Sequence, residues 1–239
     1  MNWVLCAAGL VFQATGLLVL QDDKPRPPFL PTSAYVDCQV EGWTIHVNRE
    51  LTADRKDLGD KALALLAEKL KEVQSVLPEK VVSKLRTVPI WLGVNDGHAP
   101  GAEYHPSREW LRDNGYNPDK AKAVEIGSAD ALLKYSEQQP SMVLHELAHA
   151  YHDQVIGFDD PDILAAFTRV KEAGLYDKVK HVNGRETRHY ALTDHKEFFA
   201  EMTESTFGKN DFYPFTPSEL EQVDPQTSRL VKRLWLGQD

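Results

Sequence analysis

The chain predicts an α+β fold in two lobes. Residues 35 to 48 alternate apolar and polar side chains, residues 52 to 77 space them at helical period, and the stretch beyond 140 is dominated by helix-forming runs. Together they imply an upper lobe, about residues 35–157, of mixed sheet, a backing helix and a second buried helix, then a mainly helical lower lobe, about 158–239. At 239 residues, 42% of them hydrophobic and 26% charged, the chain can bury a substantial core. Its formal charge of −9, with both signs interspersed, argues against nucleic acid as a partner, because phosphate binding needs a basic face.

Residues 1–20 hold no charged side chain and read as a signal peptide or a signal anchor, which predicts an exported, secreted or extracytoplasmic protein. About 18 apolar residues just span a bilayer, so this segment is the expected route to any membrane contact. Residues 21–34, with Pro25, Pro27, Pro28 and Pro31, read as a spacer ahead of a domain over 35–239. Removal of the leader with its Cys6 leaves Cys38 alone, so no internal disulfide is expected and Cys38 reads as a small buried apolar residue.

Within the domain, Tyr35 to Val40 and Trp43 to Asn48 flank Glu41 and Gly42 as a hairpin. Leu63, Leu66, Leu70, Val73 and Leu77 mark one face of a long helix that Pro78 ends. Val88 to Val94 is a short apolar strand, and 95–120, with His98, Tyr104, His105, Trp110 and Tyr116 among glycines and prolines, reads as a long irregular wall of a cleft. Strand character returns at 121–126, and a short helix is expected over 128–137. Asp160 with Pro161 signals a helix start, Asn183-Gly184 a hairpin turn, and Asp194 a further helix cap. Leu230, Val231, Leu234 and Trp235 form an apolar tail expected to dock on the lower lobe.

The chemistry concentrates at Ser141 to Asp153, SMVLHELAHAYHD. His145 and His149, four apart on a helix, share a face and can bind one metal ion, with Glu146 beside the open position as a candidate general base. Neutral imidazoles suit zinc, and this is the metalloprotease arrangement. The third ligand is not supplied by a metzincin continuation, since the required Gly and His positions hold His152 and Val155. Glu197 and Glu201, four apart in a later helix, offer one carboxylate for metal and a second to hydrogen-bond a ligand histidine. His152, Asp153, His189 and His195 are rivals for third ligand; His152 lies on the same helix, where a third ligand strains a tetrahedral site, and reads as solvent-facing. His98 and His105 sit at no recognised ligand spacing.

HELAH, then Tyr190, six residues and Glu197 opening EFFAE resemble the catalytic core of the anthrax lethal factor and Pro-Pro endopeptidase group of gluzincin-type zinc peptidases. The resemblance implies a zincin-like fold and one catalytic Zn2+ on His145, His149 and Glu197. It also implies Glu146 as base, Tyr190 stabilising the tetrahedral intermediate and Glu201 supporting a ligand from behind. By analogy with that fold, 121–126 is the sheet edge that pairs with an extended substrate. The expected protein is a monomeric zinc endopeptidase acting on peptides or proteins. Two rival readings are a secreted zinc-binding interaction module without peptidase activity and an amidase acting on a cell-wall type crosslink.

Overall fold

The computed structural model describes residues 29–95 and 101–237. β1 (Tyr35–Val40) and β2 (Trp43–Asn48) form the expected hairpin. Its two turn residues, Glu41 and Gly42, both have positive φ (52° and 89°), the pairing that matches the right-handed twist of the strands. α1 (Lys56–Val76) buries Ala62, Leu66, Leu70 and Val73 against the sheet. Pro78 ends its run and caps α2 (Glu79–Leu85), a helix too short to announce itself by periodicity. β3 (Ile90–Leu92) then runs parallel to β2.

The region expected to be irregular contains two elements, β4 (Ala102–Tyr104) and α3 (Arg108–Asp113). β5 (Val124–Ile126) enters between β3 and β4, so the sheet order is β1-β2-β3-β5-β4, with β2, β3 and β5 parallel and both outer pairings antiparallel. The expectation for 121–126 is therefore corrected: β5 is interior, and β4 is the edge strand at that end of the sheet, with β1 at the other. Pairing order is a long-range property, and three residues among glycines and prolines show no period from which to read it.

α4 (Ala129–Tyr135), capped by Ser128, leads into α5 (Met142–Tyr151). α5 continues as one π-helical turn, His152–Ile156, closed by Gly157 at φ 95°. The lower half comprises α6 (Pro161–Glu172), capped by Asp160, a small hairpin of β6 (Val179–Lys180) and β7 (Glu186–Thr187), then α7 (His195–Phe207), α8 (Pro217–Val223) and α9 (Pro225–Leu236). The hairpin turns at Asn183-Gly184 as expected, but its strands are shorter than the flanking apolar pattern suggests.

One core joins the inner sheet face to α1, α5 and α7, with Trp43, Ile45, Leu66, Leu70, Leu92, Leu147, Phe198 and Phe199 at 0–1% exposure. Each such side chain contributes roughly 1.5–3 kcal/mol of burial. Trp43 satisfies its indole on the Leu85 carbonyl (2.9 Å), and Trp235 of α9 stacks on Tyr151 (centroids 4.2 Å) and on Phe199 (6.0 Å) while donating to Thr203 Oγ1 (2.9 Å). The expected docking of the tail thus falls on α5 as well as on α7.

Behind the sheet, Leu30 and Ala34, from the segment expected as spacer, pack on Tyr35, Trp91 and Ala123. There too Glu125 lies within hydrogen-bond distance of buried Lys120 and His105, so His105 is held by Glu125 on the far face of the sheet. Cys38 is a free thiol, half-buried against the core. The leader at 1–20, residues 21–28 and His98 lie outside the described residues; among those described, no helix is long and apolar enough to cross a membrane.

Candidate metal centre

α5 and α7 lie against each other and bring the two halves of the sequence motif together. The helical spacing puts both imidazoles of α5 on one face, their centroids 4.8 Å apart. On α7, the Asp194 carboxylate accepts from the Lys196 and Glu197 amides (2.8 and 3.0 Å), which pins Glu197 in the first turn, facing them. His145 Nε2 lies 3.1 Å from His149 Nε2 and 3.2 Å from Glu197 Oε2, and His149 Nε2 lies 3.4 Å from the same oxygen. These three atoms can share one metal ion. The side chains are 12–14% exposed, recessed but still in contact with solvent.

The electrostatics follow from this crowding. Burial pushes the Glu197 carboxyl up, but its hydrogen bonds to His145 and His149 outweigh that and hold it well below the usual carboxylate range. Burial disfavours a charged His145, yet Glu197 and Glu204 on its two sides raise it well above an ordinary imidazole.

The other nitrogen of His145 faces a second, deeper group. His145 Nδ1 is 2.7 Å from Glu204 Oε1 and 3.7 Å from Glu201 Oε1, and these atoms too are close enough to hold a metal ion. The structure therefore makes Glu204 the nearest carboxylate behind the histidine, while the Glu201 carboxylate accepts from Asn210 Nδ2 (2.9 Å). Burial and the neighbouring Glu204 charge push the Glu201 carboxyl far up, and burial lifts Glu204 to about 7 against the pull of His145. Glu204 is missed by motif reading, although Glu197, Glu201 and Glu204 repeat at helical spacing and that periodicity could have flagged it.

Glu146 is on the same turn as His145, and its Oε2 accepts the backbone N–H of Tyr104 on β4 (2.7 Å). Tyr190 lies in a short 3-10 turn, Tyr190–Leu192, not on a strand. His189 caps that turn by accepting the Ala191 amide on Nδ1 (3.1 Å). Burial first, then the negative charge of Glu197, raises the Tyr190 phenol, so it remains a protonated donor near the centre.

His152 is corrected from solvent-facing to fully buried, packed between Phe158 and Phe199 and 6.1 Å from the His195 ring. The π turn that begins at this residue sets it against the lower half, and desolvation, with the His195 charge adding to it, depresses it to about 3. Among the described residues the rivals Asp153, His189 and His195 stand outside both ligand groups. No family model, no curated protein and no solved structure matches this chain.

Proposed function

We propose that the chain is a zincin-type, zinc-dependent endopeptidase, similar to the lethal factor and Pro-Pro endopeptidase group. The observation that carries this reading is the triangle of ligand atoms at 3.1, 3.2 and 3.4 Å. Donors about 2.0–2.1 Å from one ion at the tetrahedral angle stand about 3.3 Å apart, so two imidazoles and one carboxylate fit zinc with a fourth position left for a reactant. A zinc ion held there supplies Lewis acidity, acidifying a water and polarising a carbonyl. Glu146, one residue from a ligand and fixed toward the sheet edge, takes the proton of the attacking water and returns it to the leaving amine. Tyr190, kept protonated, donates to the oxygen on which charge develops. Glu204 holds His145 through its other nitrogen and so orients it. β4, the free edge, offers backbone groups to an extended peptide. Residues 1–20, read from the sequence as a signal peptide or signal anchor, would accord with a protease acting outside the cytoplasm.

The test is digestion of a diverse peptide mixture by the zinc-supplemented chain beside its Glu146→Gln variant, read by mass spectrometry. Cuts made by the wild type and lost in the variant, with zinc retained by both, are the expected result. Zinc in both and no cuts from either would move the assignment to a binding module or to a non-peptide amide.

A further inference from the structure

Two unusual backbone features and one unpaired strand edge meet beside Glu146. α5 runs into a π turn at His152–Ile156, Lys122 has a positive φ of 62°, and the outer side of β4 presents the Tyr104 amide to Glu146. Isolated π turns and left-handed non-glycine residues cost free energy and concentrate at functional sites. Here they share one hydrogen-bonded cluster. The π turn aims Asp153 Oδ2 at the Tyr104 hydroxyl (2.6 Å) and at Lys122 Nζ (2.5 Å), and Gln154 Nε2 donates to the same hydroxyl (3.0 Å). Lys122 is tied in turn through its amide to the His105 carbonyl (2.6 Å), one residue past the end of β4.

The strand register gives the cluster its meaning. Gly101 and His105 turn their backbone groups toward β5, since Gly127 donates to Gly101 and His105 donates to Ala123. Antiparallel alternation then points the amides of Ala102 and Tyr104 to the unpaired side. The Tyr104 amide is occupied by Glu146.

We infer that Tyr104 is a positioning residue for the general base: its amide seats the Glu146 carboxylate, and its phenol, locked to the π turn by Asp153 and Gln154, keeps that amide in place. This deepens the peptidase reading and rests on it. It also divides the labour of the sheet edge, with the Ala102 amide and the Tyr104 carbonyl left to face a substrate while the Tyr104 amide belongs to the catalytic apparatus.

Two measurements test it. Hydrogen exchange resolved to single amides on the zinc-supplemented full chain should show the Tyr104 amide protected, and protection lost roughly tenfold or more in Glu146→Ala, with the His105 amide unchanged as the internal control. In parallel, Tyr104→Phe keeps the amide and removes the lock, and should lower kcat about tenfold with KM and zinc affinity little changed. Asp153→Asn should do the same, and the double variant should be no slower than the worse single one, because the two side chains act as a unit. An unprotected Tyr104 amide, or wild-type kcat in Tyr104→Phe, overturns the inference. A wild type that cleaves nothing but loses Tyr104 protection in Glu146→Ala sinks the peptidase reading and leaves the seat of Glu146 standing.

Discussion

Replacing Glu204 by Gln should weaken zinc binding far more than replacing Glu201, although Glu201 is the residue the sequence motif points to. Glu204 sits 2.7 Å from His145 Nδ1, a charge-assisted distance, with its side chain only 6% exposed, so its charge acts on the ligand through little solvent. Gln keeps an acceptor oxygen there but removes the charge. Carboxylates that hold a metal-bound histidine from behind typically contribute 10–100-fold to affinity, about 1.4–2.8 kcal/mol. Glu201 is different. It lies 3.7 Å from the same nitrogen, beyond hydrogen-bond range, its other oxygen accepts from Asn210 Nδ2 (2.9 Å), and burial beside Glu204 pushes its carboxyl well above the usual carboxylate range. Glu201→Gln therefore removes no hydrogen bond to His145, and a change within about threefold is expected. Competition against a chelator of known affinity measures both. Equal losses in the two variants, or a large loss confined to Glu201→Gln, would refute the assignment of Glu204.

Two pH dependences follow from buried groups away from the ligands. His152 is depressed from 6.5 to about 3 by burial, so its contribution is full above pH 6.5 and is lost as pH falls toward 3; His152→Leu should raise the melting temperature, increasingly so at lower pH, and parallel curves would contradict this. Both ring nitrogens of His152 lack partners within the described protein, which adds about 1–3 kcal/mol in favour of the apolar substitute. Glu103 on the edge strand is raised from 4.5 to about 8, by burial first and then by the charges of Glu146 and Glu125. Its neutral form is favoured by folding, so stability is lost as pH rises through that window, and Glu103→Gln should flatten the decline; denaturant midpoints at pH 5 and pH 8 decide it.

What could be read from the sequence was what is local. The β1–β2 hairpin, α1 with its stop at Pro78, and the caps Asp160 and Asp194 are each specified within a few residues, and all stand where the pattern puts them. The triangle of candidate ligands was legible because two helical spacings, His145 to His149 and the turn opening at Glu197, needed only the packing of two helices to meet. β4 was illegible because three residues carry no period and their partner, β5, arrives twenty residues later. The burial of His152 depends on a π turn, which breaks the 3.6-residue rule by which its face was judged. Glu204 was hidden by ordinariness: an acidic residue late in a helix looks like a solvated charge until the far side of His145 is known to face it.

The separation of the ligands along the chain has a bearing on how the centre comes to be filled. His145 and Glu197 are 52 residues apart, on elements from opposite halves of the molecule. In a chain made from its N-terminus at about 5–20 residues per second, both histidines exist for about 2–10 seconds before the glutamate does. For that interval the α5 segment can offer at most the two histidines of the candidate centre, without its carboxylate. On the proposed reading, the choice of metal is deferred until α7 docks, and the ion that stays is the one the three-ligand group prefers.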